Sequence, residues 1–82
     1  MIKILYFMGL VDVIGCAQEE MLLPDDVRDV KSLAGILAQR GEHYQKALAD
    51  LTKLQITINK RFVEPNSPVQ NGDEIAFFPT LK

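Results

Sequence analysis

An α+β fold, one mixed sheet with a main helix on one face and a short second helix, is predicted by three observations. Residues 2–8 alternate in the manner of a strand, residues 30–37 repeat apolar side chains at helical spacing, and residues 70–78 set a glycine turn before an apolar run. Two strands, one crossover helix and further strands within 82 residues leave room for a single helical layer on a single sheet.

In the first strand Ile2, Ile4, Tyr6 and Met8 share one side, and Lys3, Leu5 and Phe7 share the other. Both sides are largely apolar, which places the strand mid-sheet and leaves the Leu5 and Phe7 side in need of a cover or a partner. Val11 to Gly15 is a short apolar segment with room for one helical turn. Gln18 to Leu23 form a second strand, closed by Pro24 and the Asp25-Asp26 pair, and the short connection makes it antiparallel to the first. Asp29 is an N-cap, because its carboxylate can accept from the unpaired N–H groups of a first helical turn. Val30, Leu33, Ala34 and Leu37 follow at i, i+3, i+4 and i+7, and Gly41 is placed to end the helix in the left-handed conformation. Residues 43–51 read as a weaker helical piece with Tyr44, Ala47, Leu48 and Leu51 toward the body.

Leu54, Ile56 and Ile58 then alternate with Gln55, Thr57 and Asn59, a half-buried strand with its apolar side toward the helix. Asn59, Lys60 and Arg61 turn the chain, Phe62 and Val63 begin a brief return, and Glu64 to Pro68 is a loop. Asn71-Gly72 before Asp73 gives a tight turn, and Ile75 to Phe78 make the last strand. Pro79, lacking an N–H, stops that strand, so that residues 79–82 (Pro79, Thr80, Leu81 and Lys82) leave a single domain spanning residues 1–82 as an exposed tail. This order is the ubiquitin-like β-grasp arrangement, in which the first and last strands are parallel neighbours and the chain end leaves from the middle of the sheet.

Composition narrows the functional classes. A formal charge of −2 and a pI near 5.2 provide no basic footprint for nucleic acid. No stretch approaches membrane-spanning length, and Asp12 interrupts the segment before Cys16 that loosely resembles a lipoprotein cleavage site. The lone Cys16 forms no internal disulfide and has no neighbouring metal ligand; it reads as a structural thiol in a reducing, cytoplasmic setting. His43 reads as a solvent-exposed helical side chain, and the pairs Glu19-Glu20, Asp25-Asp26 and Asp73-Glu74 as solvated surface without calcium-loop spacing. No acid–base constellation is evident, and no bound cofactor or metal is expected. What remains is a surface: strand parity puts Leu5, Phe7, Ala76 and Phe78 on the face away from the helix, with Phe62 joining them, unless the segment 11–15 covers part of it.

Four stretches together resemble one family. Met1-Ile-Lys-Ile-Leu-Tyr-Phe7, Val30-Lys-Ser-Leu33, Ile58-Asn59 followed by Phe62-Val63, and above all Asn71-Gly-Asp-Glu-Ile-Ala-Phe-Phe-Pro79 are similar to the small subunit of molybdopterin synthase. The resemblance implies a β-grasp sulfur carrier. Its C-terminal carboxylate would be adenylated by an enzyme of the ubiquitin-activating type and converted to a thiocarboxylate. The tail would then enter a pocket on the large synthase subunit, where the sulfur passes to a pterin precursor. The resemblance implies that Phe7, Phe62, Phe78, Leu5 and Ala76 would contact the large subunit. Members of the family end in Gly-Gly, whereas this sequence stops at Lys82, which implies a truncated form or a homologue without carrier activity. A carrier for another pathway, such as thiamin synthesis, and a ubiquitin-like interaction module without carrier chemistry are the alternatives.

Overall fold

The computed structural model describes residues 1–79. In chain order these form β1 (Ile2–Tyr6), α1 (Gly9–Ile14), β2 (Gln18–Met21), α2 (Val30–Ala38), α3 (Glu42–Leu48), a 3-10 turn at Leu51–Lys53, β3 (Leu54–Ile58), β4 (Arg61–Val63) and β5 (Glu74–Pro79). The strands make one mixed sheet in the order β2-β1-β5-β3-β4, with β1 and β5 parallel and every other pair antiparallel. This is the β-grasp arrangement.

Parity along β1 and β5 decides where the core lies. Their register pairs Ile4 with Ile75 and Tyr6 with Phe77, and these four side chains are at most 2% exposed beneath the helices. The rings of Tyr6 and Phe77 stack with centroids 6.2 Å apart. From the helical side, Val30, Leu33, Ala34 and Leu37 close the same core as one stripe of α2. Asp29 caps α2 through a 2.8 Å bond from the Ser32 N–H to Oδ1. Two further first-turn donors, the N–H groups of Val30 and Lys31, bond the carbonyls of Ser67 and Pro65, so the loop 64–68 is fastened to the start of the helix.

Turn chemistry sets the remaining geometry. Asn59 and Lys60 both have positive φ, 52° and 72°, as a two-residue turn of type I′ requires, and this turn joins β3 to β4. Gly72 has φ 92° in the turn closed by the Asp73 N–H on the Gln70 carbonyl, where a side chain would be strained. The same turn is bonded to the chain start, through Gly72 N–H to the Met1 carbonyl and Lys3 N–H to the Asp73 carbonyl, which aligns β5 beside β1.

Several expectations are corrected here. The first strand stops at Tyr6: Met8 has φ 57°, turns the chain into α1 and is 56% exposed, so it does not continue the buried side. Helix α2 ends at Ala38, with Gln39 still right-handed at its cap. Gly41 instead precedes α3 with φ 157° and ψ 174°, far from the left-handed helical basin, because the chain there re-enters a helix rather than a loop. Among the described residues there are two short α-helices besides α2, and the segment 11–15 lies mostly in α1, whose Leu10 and Ile14 join the core on the helical side; it leaves the opposite face uncovered. Pro79 does not start a tail. It pairs with Leu54 as the last residue of β5, where its missing N–H falls at the strand end. The expected tail residues Thr80, Leu81 and Lys82 lie outside the described residues.

This register carries a stability test. Phe77→Ala should destabilise the domain by about 3–5 kcal/mol and Ile75→Ala by about 2–5 kcal/mol, because each empties a site with no exposure. Phe78→Ala, on the other face, should cost clearly less. Urea denaturation of the three variants checks this; a Phe78→Ala loss equal to that of Phe77→Ala would contradict the register.

Candidate functional site

Away from the helices, the sheet presents three short rows across β1 and β5. Phe7 lies against Phe78, Leu5 beside Ala76, and Lys3 beside Glu74. The Phe7 and Phe78 rings stack with centroids 4.5 Å apart and planes 9° from parallel, and Phe62 tilts toward Phe78 at 6.4 Å. Together with Leu5, Thr57, Lys60 and Glu74 they line a groove of about 330 Å³ that runs toward the end of β5.

Exposure separates walls from floor. Phe62 is 72% and Phe7 38% exposed, Leu5 and Phe78 are half-buried, and Ala76 is only 4% exposed. Ala76 is therefore the floor of a hollow between larger side chains. Thr57 shares the floor at 6% exposure, although alternation along β3 puts it on an open polar side; Ala76 and Phe62 pair with it from either side and cover it. Lys60 and Glu74, which the aromatic pattern did not single out, form a charged rim. Parity along β5 identifies Glu74 from sequence, whereas the aim of Lys60 depends on its left-handed turn. A larger hollow of about 590 Å³ lies along α2 and α3, lined mostly by small side chains such as Ala34, Gly35 and Ala38. It has no aromatic wall, and exposed aromatics are what anchor most interfaces.

On the helical side, a carboxylate gathers four elements. Glu19 Oε2 accepts from the hydroxyls of Tyr6 and Tyr44, each at 2.9 Å, and Oε1 pairs with the Arg40 guanidinium. Arg40 also reaches Met21 Sδ at 3.6 Å and lies 5.8 Å from the centre of the Tyr44 ring. The Cys16 thiol sits 4.0 Å from Glu19 Oε2, half-buried against the core. Glu19 is thus a clasp joining β1, β2, α3 and the chain after α2, not solvated surface. Asp73 is likewise structural, accepting from the Asn59 side chain and the Gln70 N–H, while Asp25, Asp26 and His43 are exposed. Among the described residues no cluster of three or more His, Cys, Asp or Glu is placed to hold a metal ion, and no helix is long and apolar enough to cross a membrane.

The family description "ThiS family" matches residues 4–81. The chain belongs to the ThiS family. Among curated relatives, the molybdopterin synthase sulfur carrier subunit of Haemophilus influenzae is 37% identical over 81 residues, spanning 99% of this chain and 96% of that one. Its counterpart in Escherichia coli is 33% identical over the same shares. Similar solved structures include SAMP1 from Haloferax volcanii, with a TM-score of 0.75 and 18% identity over 98% of this chain and 94% of that one. A protein-protein complex of subunits 1 and 2 of the molybdopterin-converting factor from Helicobacter pylori also matches, with a TM-score of 0.66 and 22% identity over 99% of this chain and 95% of that one. At these identities the structures show the shared fold.

In this ThiS family member the clasp makes stability depend on pH at both ends. Burial works to raise the Glu19 pKa, but bonds from Tyr44, Tyr6 and Arg40 outweigh it, and the carboxyl ends below its ordinary value. Its contribution is complete above the usual carboxylate range, near pH ~4.3, and fades as the pH falls through the lowered value. Burial first, then the bond to Glu19, raises both Tyr6 and Tyr44 above the usual phenol value. Their contribution is complete below about pH 10 and fades above it. Glu19→Gln should lower the urea midpoint at pH 7, and the gap from wild type should shrink steadily toward pH 3. A gap that stays constant over that range would show that the charge of Glu19 does not hold the clasp.

Proposed function

We propose that this chain is the sulfur-carrying small subunit of a molybdopterin synthase, acting in the cytoplasm beside a large catalytic subunit. What carries the reading is its likeness, over nearly the full length of both chains, to two curated sulfur carrier subunits of that enzyme. The geometry supports it through the aromatic groove, which runs alongside the strand that leads to the C-terminus.

In this reading the outer sheet face docks on the large subunit and β5 aims the residues after it into the partner's pocket. Phe7, Phe62 and Phe78 supply the anchors, Leu5 packs beside them, and Ala76 leaves room for a partner side chain. An adenylating enzyme of the ubiquitin-activating type joins the C-terminal carboxylate to AMP with release of pyrophosphate. A sulfur nucleophile then displaces AMP, leaving a thiocarboxylate whose sulfur the synthase passes to a pterin precursor. The small subunit's own contribution is position: a rigid central strand sets where the sulfur-bearing end lies.

Phe78→Ala tests the docking half of this reading. Losing one buried interface aromatic costs on the order of 1.5–3 kcal/mol, so affinity for a molybdopterin synthase large subunit should fall roughly tenfold or more while the far-UV spectrum is unchanged. Calorimetric titration measures it. Absence of binding by the wild type at micromolar concentration would remove the carrier reading. For the carrier half, intact mass of protein from its native source should include a form in which one sulfur replaces one oxygen.

A further inference from the structure

We propose that two copies of this chain pack face to face through the outer surface of the sheet, around a two-fold axis that runs along the strands between β1 and β5. The inference does not depend on the sulfur-carrier reading, since it concerns what the face does with its own copy.

The parallel register of β1 and β5 is the source of the self-complementarity. Lys3 stands beside Glu74, Leu5 beside Ala76, and Phe7 beside Phe78, each pair at one height along the strands. A two-fold axis along the strands keeps every height and exchanges β1 of one copy for β5 of the other. Lys3 then meets the second copy's Glu74, and Glu74 meets its Lys3. Leu5, half-buried and standing above the face, meets the hollow whose floor is the 4%-exposed Ala76. The stacked aromatic pair meets the same pair reversed. An isologous interface needs this relation, in which a patch is complementary to itself after rotation.

The charges extend the match beyond the two central strands. Glu20 pairs with Lys3 across β2 and β1, and Lys60 lines the groove beside Glu74. Across the face the order is Glu20, Lys3, Glu74, Lys60, alternating in sign, and the reversed order of a second copy sets every charge opposite its counter-charge. Among the described residues none of these four makes an ion pair within 4 Å, so all are available across an interface. Phe62, 72% exposed on β4 beyond the row, reaches over the second copy's β2 edge.

The face offers about ten side chains per copy, fewer than the ~20–30 of a standard stable interface, which makes this a reversible dimer with a dissociation constant on the order of 100 μM. At concentrations near that constant, such a dimer covers the aromatic patch and limits its non-specific association.

Sedimentation equilibrium over a concentration series tests the geometry, using wild type, Lys3→Glu, Glu74→Lys and an equimolar mixture of the two variants, each checked for folding by circular dichroism. Wild type should dimerise, less so as salt rises. Each variant alone should associate at least about tenfold more weakly, because like charges then meet twice per dimer. The mixture should recover the wild-type association, since the two variants present opposite charges at both contacts. Recovery on mixing excludes an effect confined to the Lys3 and Glu74 of one chain. Should either variant fail to fold, Glu20→Lys and Lys60→Glu supply the same comparison. A wild type that stays monomeric to millimolar concentration overturns the proposal and leaves the face to an unlike partner alone. So does a variant that dimerises like wild type, or a mixture that does not recover.

Discussion

The parallel pairing of the first strand with the last is the constraint on which the rest of the molecule depends. It joins residues about seventy positions apart, so it forms at a large cost in loop closure and is held by the core it creates. Once Ile4 lies beside Ile75 and Tyr6 beside Phe77, alternation leaves no freedom on the other side: Leu5, Phe7, Ala76 and Phe78 must face outward together. Core and outer aromatic face are thus two sides of one register.

The division of labour between the two faces follows from what each can satisfy internally. On the helical side, polar groups that leave water find partners: both tyrosine hydroxyls and the Arg40 guanidinium converge on Glu19, which meets the demand that buried polar atoms be bonded. On the outer side, aromatic area is left without a cover by any element of the fold, and the charges around it are unpaired among the described residues. In this ThiS family member, similar over nearly its full length to curated sulfur carrier subunits, the aromatic face lies beside the strand that leads to the C-terminus.

Much of this was legible from residue order. The alternation in residues 2–7, the Asp29 cap, the helical stripe from Val30 to Leu37 and the glycine turn before β5 determined the elements, because each is a local pattern with one inexpensive conformation. Parity then determined which side of β1 and β5 each aromatic takes, and so gathered Phe7 and Phe78 on one face. What only the tertiary structure decided lies where distant segments compete for the same atoms. Glu19 looks like one of a pair of surface acids until Tyr6, Tyr44 and Arg40 arrive from three other elements. Thr57 looks polar and open until Ala76 and Phe62 close over it from neighbouring strands. Gly41 looks like the end of one helix, yet opens the next, because the following residues find a core to pack against. The physical reason is the same in each case: local propensity fixes dihedral angles over a few residues, while burial and hydrogen-bond partners are set by neighbours that only the folded chain brings together.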